Sequence, residues 1–552
     1  MRSKNMKSMI GKTYLVLALL LAMALMVAPS ANAATPGITS TNGTPGTFNL
    51  TAKDGYTSQP DGRSIYTWGY GCTDTGATFR PKMNLPAFCN TMQLPGPTII
   101  VTENTTVTVT LTNSLPPSAG NTSILFPGFN VTTVGGVPGL MTQEAAPGGT
   151  VTYTFTASTP GTHAYYSGTQ GDLQVEMGLY GALVVLPPTV PSACTSGIHA
   201  SNAMAQSSSS LAHPGVTESD FTLSHAAYDS ALTCYDREYL FQFSEMDPNI
   251  HTQALNQVIA TTGCKAGNAG CSLNVPTEPY HPAYFMINGR SMPDDMDPNY
   301  ASQYPNQPYN GDPHMHPGEL VLLRIIGQGR WQHPFHEHGN HVRILARDGN
   351  LILSPDGAAL AGPLLFTTTT TPGIAMDGIF YFTGRGLNWD AYGHHAPDPK
   401  YLVNGGNGDA IGDANAMLPC TPDANGYNTG DPTAINYFEW CQDHNKPLQV
   451  APFGDVAGTG PATLPDPTIF TNGPWYGGSP YLGPDATVRA VGSTGTTPPS
   501  GTIANSPSGE AGFAFMWHSH NEREITTNNM FPGGMLMMML VDSREFVIDE
   551  TN

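Results

Sequence analysis

Basic residues are scarce in this sequence: 21 Lys and Arg stand against 42 Asp and Glu, a formal charge of −21 at pH 7. A surface of that sign repels nucleic acid and anionic lipid, and favours cations or basic partners. Charged residues of both signs make up only 11% of the chain, and helical periodicity is rare beyond the first thirty residues. Long apolar runs are missing after residue 27, so nothing later can cross a bilayer as a helix. Cysteine is limited to eight residues, and none stands among histidines at a metal-ligand spacing. They fall as neighbours along the chain, Cys72 with Cys89, Cys194 with Cys234, Cys264 with Cys271, and Cys420 with Cys441. An even count fits four local disulfides in an exported chain, although spacing alone leaves the connectivity open.

The one long apolar run lies at the start. Arg2, Lys4, Lys7 and Lys12 precede the run Tyr14 to Val27, and Ala31-Asn-Ala33 follows it. A basic segment, a short apolar segment and a small-x-small site read as a secretory signal cut near Ala33, rather than an uncleaved anchor. The mature chain is then expected outside the cytoplasm, extracellular or periplasmic. Losing four positive charges would move its net charge from −21 to about −25.

What remains is rich in Gly (61) and Pro (49), with short Val/Thr/Ile runs between them, a composition that reads as all-β. "PTIIVTENTTVTVTLTNSLP" (97–116) and "GGTVTYTFTASTPGTHAYY" (148–166) alternate β-branched and polar residues, as half-buried antiparallel strands do. "GLYGALVVLPP" (178–188) closes a first sandwich domain expected at 34–190, and 191–234 reads as an irregular linker containing "AQSSSSLAHPG". A second domain, 235–552, holds "REYLFQFSEMD", "GELVLLRIIG", "NHVRILARDG", "GFAFMWHSH" and "MLMMMLVDS". Its Gly/Pro/Asn/Asp-rich stretch, about 385–510, is too long for a connection and reads as an ordered insertion.

Two histidine groups stand out: His333, His336, His338 and His341 in "WQHPFHEHGNH", and His518 and His520 around Ser519. Strand residues i and i+2 share a face at ~7 Å separation, so His336/His338 and His518/His520 form two imidazole pairs. If their strands are neighbours, four nitrogens converge in a set that suits copper, zinc or iron. The plain alternative is hydrogen-bonded core histidines. His314 and His316 ("DPHMHPGE") and His394/His395 lie in loops and are weaker candidates. The methionines Met530, Met535, Met537, Met538 and Met539 read first as packed core and second as copper handling. Asn104 and Asn130 are glycosylation acceptors only if the host glycosylates.

"LPGPTIIVTENTTVTVTLTNSLP", "GVPGLMTQEAAPGGTVTYTFTASTPGTHAYY", "GLYGALVV", "HPFHEHG" and "HSH…FPGGM" together resemble the multicopper oxidases, over most of 90–190 and 284–383 and again at 513–541. The resemblance implies two cupredoxin-like Greek-key β-sandwich domains, the second with the insertion. It also implies a three-copper cluster held by four His-x-His pairs, fed by a blue copper on His, Cys and His. The first pair, usually Thr-Ser-Ile-His-Trp-His-Gly, is here "TSILFPG", with Leu125 and Pro127 at the ligand positions. The second, usually Gly-Thr-Tyr-Trp-Tyr-His-Ser-His, is here "GTHAYYSG", which places Tyr166 and Gly168 there and His163 out of register. The third motif is intact: His333 matches a blue-copper ligand, and His336 and His338 match cluster ligands. In the fourth, Ser519 replaces the cysteine between His518 and His520, and Glu524 replaces the next histidine.

Blue copper depends on a soft thiolate, and a serine hydroxyl is a hard, protonated donor. The set His333, Ser519, Glu524 is therefore nearer a hard-cation or structural arrangement. Four cluster imidazoles are too few for three coppers, but they can hold at most one ion, on His338 and His518 with His336 or His520 and water. Glu337 and Glu522 are expected to point away from the imidazole face, as exposed or ligand-orienting charges. Three functions remain open: an oxidase-like protein reduced to one copper or other metal, an active copper oxidoreductase recruiting His163, His314 or His316, or a non-catalytic extracellular module docking a cationic partner or secreted redox protein.

Overall fold

The computed structural model describes residues 35–73, 76–80, 89–206, 217–265, 267–382, 421–424, 427–432, 437–438, 478–481, 512–542, 548 and 550. The expected signal segment, nearly all of 385–510, His394, His395, Cys420 and Cys441 lie outside the described residues.

Alternation along the early strands becomes the first sandwich. In Thr106–Asn113, Val107, Val109 and Leu111 are wholly buried while the intervening threonines face outward. The neighbouring strand Thr150–Thr156 pairs with it so that Val107 opposes Phe155, Val109 opposes Tyr153 and Leu111 opposes Val151. Apolar rungs thus stack on one face, and each large side chain so buried contributes roughly 1.5–3 kcal/mol. The sheet runs Ser64–Cys72, Thr47–Ser58, Thr106–Asn113, Thr150–Thr156, Thr132–Gly135. It packs on a second sheet ordered Gly161–Tyr166, Tyr180–Leu186, Ile99–Thr102, Gly37–Ser40, Thr78–Arg80.

The second sandwich has one sheet ordered Tyr284–Ile287, Arg237–Met246, Leu320–Gly327, Ala375–Tyr381, Val342–Arg347, Asn350–Leu351. Facing it is the sheet His314–Met315, Leu536–Asp542, Gly512–Ser519, His333–Glu337, Thr367–Thr370. Phe241, Phe243, Leu323, Ile325, Phe335, Trp517, Met537 and Met539 fill the space between. Met535, Met537 and Met539 are core, with 0% exposure, and only Met530 of the group is exposed. The described residues thus form two all-β sandwiches.

Arg237–Met246 is buried along its whole length because both its faces are covered. Tyr239, Phe241 and Phe243 enter the second core, and Leu240 packs with Ala164 and Ala182 of the first domain. Polar groups complete that junction: Tyr180 Oη donates to Ser244 Oγ at 2.7 Å, and Thr162 Oγ1 donates to Asp377 Oδ1 at 2.5 Å. The helix Pro248–Ala260 starts on Asp247, whose side chain accepts from Asn249 N, and it lays Ile250 and Ala254 into the first core. Between the sandwiches, Ser192–Thr195 and Glu218–Phe221 are 3-10 turns and Gly197–Ala205 is a short helix. Among the described residues there are three disulfides, Cys72–Cys89, Cys194–Cys234 and Cys264–Cys271. No helix among the described residues is long and apolar enough to cross a membrane.

Candidate metal centre

The strand His333–Glu337 pairs with Gly512–Ser519 so that His336 faces His518 directly, Phe335 faces Ser519 and Glu337 faces Trp517. Side chains alternate across a strand. His333, Phe335, Glu337, Trp517 and Ser519 therefore enter the sandwich core, all with 0% exposure, while His336, His338, His518 and His520 share the outer face.

On the outer face the rings converge. Ring centres lie 4.7 Å apart for His336 and His338, 5.5 Å for His336 and His518, 5.2 Å for His338 and His518, and 4.8 Å for His336 and His520. One nitrogen from each of His336, His338 and His518 lies within 4.8 Å of the other two. His520 sits at the exposed rim, 5.7 Å from His518 by ring centre. His518 Nδ1 donates to the Ser519 carbonyl at 2.7 Å, which assigns the lone pair to Nε2, 3.3 Å from His338 Nε2. Thr367 Oγ1, 2.7 Å from His336 Nδ1, holds that ring in orientation. Burial, reinforced by the three neighbouring imidazoles, pushes His336 down to about 4, and burial also lowers His518. Both are then neutral at neutral pH, the form that ligates a metal. Phe366 (40% exposed), 5.7 Å from His336, gives the site an apolar edge.

The inner face is different. His333 Nδ1 lies 2.8 Å from Glu524 Oε2 and Nε2 lies 2.9 Å from Glu245 Oε2, all three side chains being buried. Ser519 Oγ donates to the same Glu524 oxygen at 2.5 Å, and Asn521 Nδ2 to the other at 2.8 Å. Glu245 Oε1 accepts from the backbone N–H of Arg330 and Trp331 at 2.6 and 2.8 Å, and from Tyr280 Oη at 3.2 Å. Against the cost of burial, the two carboxylates push His333 up to about 9, so both nitrogens carry protons. Of the two readings of His333, Ser519 and Glu524, hard-cation or structural, the geometry fits the structural one: the three residues meet, and both His333 nitrogens face carboxylates. Blue copper does not fit here, because there is no thiolate and no free imidazole lone pair. Glu245 was not singled out from sequence, although an acid inside the apolar run "YLFQFSEM" is the signal that could have found it. Gly329 is required beside it, since a Cβ there would overlap the Glu245 carboxylate.

The remaining candidates lie apart. His314 Nδ1 is 2.8 Å from Asp542 Oδ2 and its Nε2 is 3.4 Å from Asp312, so carboxylates hold it well above its ordinary value despite burial. His316 bridges the Asp542 carbonyl at 2.9 Å and Glu218 at 3.0 Å. Glu218, His316 and Glu319 bring three donors together, but Arg237 already pairs with both carboxylates there. His163 is buried against the Thr159 carbonyl and Phe129, in the first sandwich. Glu337 does point away from the imidazoles, but into the core rather than to solvent. Thr368 Oγ1 donates to its Oε1 at 2.8 Å, and burial pushes it up to about 8. Glu522 is exposed, beyond the end of the strand.

In the first sandwich Leu125, Pro127, Tyr166 and Gly168 are half-buried. Leu125 N donates to the Tyr166 carbonyl at 2.8 Å, and any Cβ at Gly168 would meet Leu125 Cγ at 2.8 Å. A packed leucine occupies the space beside Gly168, and these four positions offer no nitrogen or thiolate donor.

A family model described as multicopper oxidase matches residues 73–190, the segment that holds those four positions. Laccase-3 of Botryotinia fuckeliana is 37% identical over 100 residues, 17% of this chain and 20% of that protein, so the match spans a fifth of the relative's length. Among solved structures, the multicopper oxidase mgLAC and a blue copper oxidase from Nitrosomonas europaea each align over 90% of this chain, covering 86% and 85% of theirs, at 14% identity and a TM-score of 0.41. The "HPFHEHG" and "HSH" motifs lie outside the matched segment, yet the sheet pairing brings them together. The similarity to the multicopper oxidases therefore rests on residues 73–190, in the first of the two β-sandwiches.

Proposed function

We propose that the protein is an exported member of the family that binds one transition-metal ion through His336, His338 and His518, with His520 at the rim, and that it does not perform four-copper oxygen reduction. The carrying observation is that these three imidazoles offer nitrogens within 4.8 Å of one another, while both nitrogens of His333 are committed to carboxylates. Copper in the mononuclear form fits the donor set, and it would supply a Lewis acid with positions left for water or substrate. Thr367 and the Ser519 carbonyl orient the rings, and Phe366 shields one side. Three disulfides support export, since such bonds persist in oxidising compartments.

Metal analysis of the purified protein tests this reading. One equivalent of metal, no intense blue charge-transfer band and no oxygen uptake on phenols are expected, with the metal lost in His338→Ala/His518→Ala. Unchanged stoichiometry in that double variant, or three or four coppers with oxygen consumption, refutes it. A docking role for the acidic surface draws on the formal charge of −21 and would stand if no metal is found and a basic partner binds in a salt-dependent manner.

A further inference from the structure

The segment between the strands Tyr284–Ile287 and His314–Met315 carries Asp294, Asp295, Asp297 and Asp312, none of which serves the histidine site. Asp295, on the turn Asp294–Met296, has 0% exposure, and neither of its carboxylate oxygens has a hydrogen-bond partner. Asp312 Oδ1 is also buried without a partner, and its Oδ2 is 3.4 Å from His314 Nε2. Across His314, Asp542 Oδ1 is in the same condition. Carboxylate oxygens left in this state are costly and call for a compensating cation or donor.

Arg290 does not fill that role directly. Its guanidinium donates to the backbone carbonyls of Gln307, Asp297, Pro298 and Asp294, it forms no ion pair with Asp295, and its Nη2 is itself unpartnered. Gly311 N donates to the Asp295 carbonyl at 2.7 Å and a Cβ on Gly311 would lie 3.8 Å from Asp295 Cβ, so the chain brings Asp312 in directly beside Asp295; burial, reinforced by Asp312, raises Asp295 well above the ordinary carboxylate range. Protonation of Asp295 would remove one charge but supplies only one donor for the several unpartnered carboxylate oxygens. A cation satisfies both acids at once. The donors are oxygen only, since both nitrogens of His314 face carboxylates, and such a set selects hard ions that keep part of their water shell.

We propose that Asp295 and Asp312 hold one hard divalent cation of the calcium or magnesium class, which pins this segment to the second sandwich independently of the histidine site. Chelator-stripped wild type and His336→Ala/His518→Ala are to be titrated with calcium chloride alone and magnesium chloride alone, by calorimetry and thermal melting. One equivalent bound and a Tm rise of several degrees are expected in both proteins, and loss of both effects in Asp295→Asn. Asp312→Asn, nearer the surface, serves as the second variant should Asp295→Asn fail to fold. Absence of any calcium or magnesium effect on wild type overturns the proposal. So does an Asp295→Asn protein that matches or exceeds wild-type Tm in saturating calcium, which would mark Asp295 as protonated or water-bridged to Arg290.

Discussion

His333 carries its charge inside the protein, so its titration is a stability event. Its folded value, about 9, lies above the ordinary 6.5 because Glu245 and Glu524 face its two nitrogens, with Tyr280 and the Arg330 and Trp331 amides behind one acid and Ser519 and Asn521 behind the other. A raised value means that the stabilisation is fully present below pH 6.5 and is lost as pH rises through 9. The loss is of the order of 3 kcal/mol, to be checked by urea unfolding at a series of pH values, and it should be absent in His333→Gln. Ser519→Cys alone is expected to give no intense blue absorption with Cu(II), since Glu245 and Glu524 still hold both imidazole nitrogens. A blue product from that single change would refute the account of this pocket. The His-Ser-His pattern and the missing thiol are visible in the chain. The Glu245 partner is not, because it stands 88 residues from His333 and only sheet packing brings the two together.

At the scale of elements, the alternating threonine strands were readable because a pleated sheet with one wet face demands that pattern. The helix Pro248–Ala260 was not anticipated, although Asp247 and Pro248 are a standard helix start. Its apolar residues serve another domain's core, so its own amphipathic signal is weak. Asp247 caps Asn249 N with Oδ1 at 2.9 Å and accepts His281 N with Oδ2 at 2.8 Å. Asp247→Ala is expected to cost about 1–2 kcal/mol, seen as a lower denaturant midpoint at unchanged slope. Phe335 fills the core directly beneath the histidine sheet, against Phe243 and Trp517. Phe335→Ala should cost about 3–5 kcal/mol and loosen metal retention together with stability, whereas His336→Ala should weaken metal retention with little change in midpoint.

Over the whole molecule, the two sandwiches are joined by buried charge rather than by apolar contact alone. Arg324 and Glu238, both with 0% exposure, pair at 2.8 Å, and Arg324 Nη1 lies 3.2 Å from Thr162 Oγ1 of the first domain. Glu238→Ala strands a buried guanidinium and should destabilise by about 3–5 kcal/mol. Arg324→Met with Glu238→Leu should recover much of that loss, as measured by a double-variant unfolding cycle. If the single change is silent, the junction does not depend on this pair.

By itself the sequence determined the all-β class, the strand faces, the outward histidine pairs and the lack of a thiolate at 519, because each of these is set by local period or by residue type. The tertiary structure decided which groups meet across long separations: that His336 opposes His518, that Glu245 and Glu524 enclose His333, and that Asp295 is buried against Gly311, the neighbour of Asp312. Charge compensation in a buried site depends on distances between elements, and no period in the chain encodes those.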